Sequence, residues 1–160
     1  MYDVLYGNLK GGIGMKAELE KKIFRYFEEH SICTVATIED DRPNASALEY
    51  VSKRLNLYFV SFPDTQKVRN LNSNPAVAIT INEAYLDMRG VKGIQYFGMA
   101  SVIKNDELKE KVRTLFYEKY PVFQLVHWQD ASSVFYEVIP QRIDFIDYSV
   151  KFGNKETWTL

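Results

Sequence analysis

The sequence predicts one predominantly antiparallel β domain, a barrel or a sandwich, with two or three helices attached. Three observations carry that expectation. Six or seven short runs rich in β-branched and aromatic residues are joined mainly by hairpin-length turns. Sustained helical periodicity is confined to a few segments. No repeat, low-complexity tract or linker divides the 160 residues, a length at which a single domain buries roughly two thirds of its unfolded surface.

Taken in order, residues 1–15 hold glycines at 7, 11, 12 and 14 without the strand before and helix after that a nucleotide loop needs. They are read as a flexible N-terminal arm, which leaves 16–160 as the domain. From Lys16 to His30, Leu19, Ile23, Phe24 and Phe27 recur at helical spacing among Glu and Lys, which predicts an amphipathic helix. ICTVATI (32–38), the turn cluster EDDRPN, ASALEYV (45–51), the turn SKR and LNLYFVS (55–61) then predict three meandering strands. Pro63 and Asp64 break the last of them. TQKVRNLNSN (65–74) reads as a short helix capped by Asp64 or Thr65 and ended by Pro75.

AVAITIN (76–82) and KGIQYFGMASVI (92–103) predict two further strands, the second with a bulge or close backbone approach at Gly98. Residues 106–120 place Leu108, Val112, Leu115 and Phe116 on one helical face, between Asp106 near the start and Pro121 beyond the end. After an aromatic stretch around His127 and Trp128, VFYEVI (134–139) and RIDFIDY (142–148) read as two strands separated by Pro140. The tail from Ser149 to Leu160 shows no period.

Composition narrows the function. Twenty Lys and Arg against 21 Asp and Glu leave no global field to draw the chain to nucleic acid or an anionic membrane, so any anion must be held locally. The single Cys33 has no disulfide partner within the chain and sits in an apolar strand, where a buried inert thiol is expected. No apolar run approaches the roughly 20 residues that span a bilayer, and no signal-peptide pattern is present, which predicts a cytoplasmic protein. His30 and His127 lack other ligand residues at metal-binding spacing, so no metal site is expected.

The stretch from Ser61 to Pro75 is more informative. A strand ends in a hydroxyl, and a capped helix begins with a hydroxyl and a Lys. Such a corner collects backbone N–H groups, the positive end of a helix dipole, two hydroxyls and an ammonium, all suited to a phosphate. An ordinary N-cap with a surface Lys satisfies the same pattern.

Ser61, Lys67, Leu71, Asn74 and Pro75 keep the spacing of the FMN-phosphate region of the pyridoxamine 5'-phosphate oxidase family, which the chain resembles. Arg42-Pro43 resembles the turn before that family's first flavin-contacting strand. Val138, Pro140, Ile143, Asp144 and Phe145 resemble its V-x-P-x-x-I-E-F ending. The resemblance implies a split β-barrel homodimer binding FMN in a groove between subunits. In that arrangement Ser46, Ala47, Leu48, Val60 and Ser61 line the isoalloxazine, and Thr65, Gln66 and Lys67 hold the phosphate. Gln95, Trp128 and Trp158 are candidates for walls supplied by the second protomer.

The departures from the family pattern matter as much. Ser46 and Val51 stand where the oxidase carries a phosphate-contacting Arg and a Lys, and its C-terminal Trp and R-L-H-D-R cluster fall on Ile146 and on residues 152–156, where those side chains are not kept. Each lost charge-assisted hydrogen bond is worth roughly 1.5–3 kcal/mol, so oxidation of pyridoxamine phosphate itself is not expected. The resemblance leaves three alternatives. One is an FMN-dependent oxidoreductase acting on a small molecule, with NAD(P)H as a candidate donor. Another is a binding protein for flavin or haem without turnover. The last is a cofactor-free dimerisation module.

Overall fold

The computed structural model describes residues 12–125 and 132–160. The predicted arm up to residue 11, His127 and Trp128 lie outside the described residues. Helix α1 spans Gly12–Glu29, starting four residues before the predicted boundary. Its buried face is Leu19, Ile23, Tyr26 and Phe27, so Tyr26 takes the place expected of the only half-buried Phe24. The strands are β1 (Ile32–Glu39), β2 (Arg42–Glu49), β3 (Val51–Lys53), β4 (Asn56–Ser61), β5 (Ala76–Asn82), β6 (Lys92–Val102), β7 (Val134–Asp147) and β8 (Lys155–Thr159). Helices α2 (Gln66–Ser73) and α3 (Asp106–Lys119) interrupt them.

All strand pairs are antiparallel, in the order β2-β1-β5-β6-β7-β4-β3, with β8 added to β7. The two ends of this order, β2 and β3, are separated in the chain only by Tyr50. One bent strand therefore pairs with β1 before Tyr50 and with β4 after it, and the sheet curls back on itself. This is a split barrel.

A residue at such a crossing leaves one ladder before joining the next, so its backbone groups need other partners. The Tyr120 hydroxyl supplies them: it accepts from Tyr50 N–H at 3.3 Å and lies 2.7 Å from Tyr50 O and 2.6 Å from Ser31 O. The Tyr50 ring is fully buried, and its own hydroxyl donates to Phe27 O at 2.9 Å. Lys119 Nζ donates to the same carbonyl at 2.8 Å and lies 4.2 Å from the centre of the Tyr50 ring. A cation at the C-terminal end of α1 complements that helix's dipole.

Alternation along the strands separates two apolar clusters. Val35, Leu57, Phe59, Ile79, Ile94, Tyr96, Val138 and Ile143 fill the barrel together with the buried face of α1. Val51, Tyr58, Phe135 and Ile103 form the outer cluster, under Val112 and Phe116 of α3.

Two expectations about the C-terminal third are corrected. Residues 134–147 form one strand, not two, because Pro140 sits at a register shift opposite Gly98, where the ladder does not require its missing N–H. The tail is not irregular throughout: residues 155–159 form β8, fastened to β7 by the buried Asp144, which accepts from Thr157 Oγ1 at 2.7 Å and pairs with Arg142. The strand expected over 45–51 also divides at Tyr50, and β3 takes in Ser52 and Lys53 of the expected turn SKR, so the sheet has eight strands where six or seven were expected. No described helix is long and apolar enough to cross a membrane.

Candidate functional site

Strand β4 ends at Ser61, its last residue paired with β7. Pro63 follows, and Thr65 then caps α2 in extended conformation, its Oγ1 accepting from Val68 N–H at 3.4 Å. Ser61 Oγ and Thr65 Oγ1 are 3.0 Å apart. The predicted corner is therefore assembled: two hydroxyls and the first turn of a helix, whose leading N–H groups have no partner within the helix.

Lys67 leaves that first turn with its side chain mostly buried, 8% exposed, and its Nζ 6.0 Å from the centre of the Phe59 ring. Among the described residues no carboxylate or hydrogen-bond acceptor meets the ammonium, and burial holds its pKa below the ordinary lysine value. A buried, unpaired charge is unfavourable unless an opposite charge reaches it. Phe59 stacks on Tyr136 at 5.0 Å, and among the described residues the buried Tyr136 hydroxyl also has no hydrogen-bond partner. The other expected phosphate residue, Gln66, turns its side chain away, donating to Glu39 Oε2 at 3.0 Å and Asn70 Oδ1 at 2.6 Å. It lines a polar groove with Asp40, Arg42 and Asn44 of the β1–β2 hairpin.

On β2, Ser46 and Leu48 are half-buried, opposite Val35 and Cys33 of β1, whereas Ala47 is exposed on the other face. Burial pushes the Cys33 thiol up to about 12, the inert state expected of it. Val60 and Ser61 border a cleft of about 220 Å³ completed by Glu49, Phe62, Phe116, Phe123 and Ser133. Gln95 is exposed on the outer face of β6, between Thr80 and Asp144 of the neighbouring strands. Trp158 is not at the cleft: its indole is buried in its own chain and donates to Glu20 Oε1 at 2.7 Å. Among the described residues no group of His, Cys and carboxylates is arranged to hold a metal.

Sequence alone assigns Glu49, Phe62, Phe116 and Phe123 no place at a site, and Phe116 only a place on the apolar face of its helix. The one signal for them is the run Phe116, Tyr120, Phe123, which continues helical spacing past Pro121 and forms a mutually packed aromatic group with centres 5.3–5.9 Å apart.

The family profile described as pyridoxamine 5'-phosphate oxidase matches residues 19–147. The chain belongs to that family. It is a split-barrel relative and not the oxidase itself. General stress protein 26 of Bacillus subtilis is 22% identical over 97 residues, 59% of this chain and 67% of that one. HutZ, the heme storage protein from Vibrio cholerae, has the same fold, with a TM-score of 0.67 at 20% identity over 88% of this chain and 94% of that one. A FAD-binding protein from Mesorhizobium loti superposes with a TM-score of 0.62 at 20% identity, over 79% of this chain and 89% of that one. Members of this fold thus include flavin-binding and haem-binding proteins.

Proposed function

We propose that this protein binds FMN at the Ser61–Lys67 corner and works as an FMN-dependent oxidoreductase on a small organic molecule. The observation that carries the reading is Lys67, a mostly buried residue whose ammonium meets no acceptor among the described residues, one turn from the paired hydroxyls of Ser61 and Thr65. A phosphate supplies the charge that this arrangement lacks. Ser61, Thr65, Lys67 and the backbone N–H of Gln66 would hold the phosphate, while Ser46, Ala47, Leu48 and Val60 would lie along the ring. Bound there, FMN supplies hydride or electron chemistry of its own, and the protein's part is to orient the ring and exclude water. No catalytic acid or base of the chain is required for that part.

A homodimer completes the groove in this reading. Phe97, Met99 and Ile139, 37–45% exposed on the outer sheet face, form the apolar surface that would pair, and Gln95 stands two residues from Phe97 on the same face. The similarity to HutZ favours a second reading, a flavin or haem carrier without turnover.

The visible spectrum of the purified protein separates the readings. An oxidised flavin gives a band at about 450 nm, a haem gives a Soret band instead, and a colourless protein that takes up neither group overturns both. Bleaching of the flavin by NADH or NADPH faster than free FMN marks the oxidoreductase. Lys67→Met should weaken FMN binding at least about tenfold, as expected for loss of one charge-assisted contact; equal affinity would remove the corner from the site.

A further inference from the structure

We propose that the phenylalanine-lined cleft beside Ser61 takes a small organic cation, an ammonium carried on an aromatic or alkyl frame. As a statement of substrate class this rests on the flavin reading, since the cleft adjoins the residues assigned to the ring; as a statement of ligand charge it does not.

Three strands of evidence converge on the cleft from different elements. Phe62, 61% exposed just past the end of β4, stands at its mouth, and Phe116 and Phe123 form its wall. Tyr120 backs that wall, 5.8 Å from Phe116 and 5.3 Å from Phe123. Aromatic faces present negative potential and attract organic cations, most strongly where water is excluded. Glu49, at the end of β2, adds a carboxylate that forms no ion pair among the described residues.

No Lys, Arg or His is among the described residues that line the cleft. The neighbouring cations of α3 are engaged elsewhere: Arg113 with Glu110 and the Phe135 ring, Lys119 with Phe27 O and the Tyr50 ring. An exposed carboxylate beside aromatic rings, with no cation among the described lining residues to balance it, disfavours a carboxylic acid and favours a positive charge. The corner and the cleft, which share Ser61, are therefore opposite in sign: a lysine for an anion on one side, and an acidic aromatic cleft for a cation on the other.

The test compares benzyltrimethylammonium with benzoate by isothermal titration at one ionic strength, on purified protein whose flavin content is recorded first. The cation should bind at least tenfold more tightly. Glu49→Gln, at an exposed position, should erase that preference, and Phe62→Ala should weaken the cation several-fold. Equal or reversed preference, absence of binding by either probe, or a preference surviving in Glu49→Gln overturns the proposal. A colourless protein that still discriminates through Glu49 upholds the cleft assignment and counts against the flavin. A yellow protein without discrimination does the opposite.

Discussion

Two lysines show how burial sets the behaviour of single residues in this chain. Lys67 meets no carboxylate or other hydrogen-bond acceptor among the described residues and burial lowers its pKa, so its charge opposes folding of the protein without ligand. Replacing it with Met, which keeps the apolar stem, should raise the melting temperature of the ligand-free protein by about 2–4 °C, measured by calorimetry beside the FMN titration. A fall in melting temperature would show that the ammonium has a stabilising partner. Lys119 is pulled down by burial to about 8, against the opposing pull of Glu28, from an ordinary value of 10.5. Between those two values the unfolded chain binds more protons than the folded one, so this group's contribution to stability rises with pH. In urea unfolding, the wild type should gain on Lys119→Met between pH 8 and pH 10, and a constant difference would refute the assignment. Ser61, Thr65 and Lys67 were legible in the sequence because they are neighbours along the chain and a strand end followed by a cap has a local signature. Glu49, Phe116 and Phe123 were not. They meet only because the barrel brings β2, β4 and α3 together, and no spacing encodes that meeting.

Among the elements, the helices and strands β1, β2, β4, β5 and β6 follow from periodicity, caps and turns, whereas β3 falls largely on the expected turn SKR. Asp40 and Asp41, both in the left-handed region, form the tight turn between β1 and β2, so residues 42–44 of the expected turn cluster belong to β2 instead. The C-terminal strands were harder to read. Pro140 signals a break locally, yet the break is absorbed by the partner strand, where Gly98 lets the backbone of Ile139 come close. A Cβ at Gly98 would stand 2.5 Å from Ile139 O and 2.9 Å from the Tyr96 ring. Gly98→Ala should therefore destabilise the fold by about 1–3 kcal/mol, read as a lower urea midpoint; an unchanged midpoint would mean that the bulge has slack. Strand β8 has no period because its order comes from outside itself. Asp144, Arg142 and Lys155 hold it from the side, and Trp158 is buried against the barrel.

At the scale of the whole molecule, the curled sheet leaves an apolar outer face, and a second copy is the proposed cover. Ile139→Glu places a charge at 45% exposure on that face, where folding should tolerate it. Sedimentation should find the wild type dimeric and the variant monomeric with an unchanged circular dichroism spectrum, and FMN affinity should fall with the dimer. A monomeric wild type would refute the shared groove. The topology has one more consequence. Strand β7 alone joins β6 to β4, pairing Leu57 with Val138 across 81 residues. Until it emerges from the ribosome, β4 and β6 have no partner on that side, and unpaired strand edges recruit strands from other molecules. Synthesis of the segment that carries α3 is thus the interval in which a nascent chain is most exposed to aggregation, and a stalled ribosome there would leave both edges open.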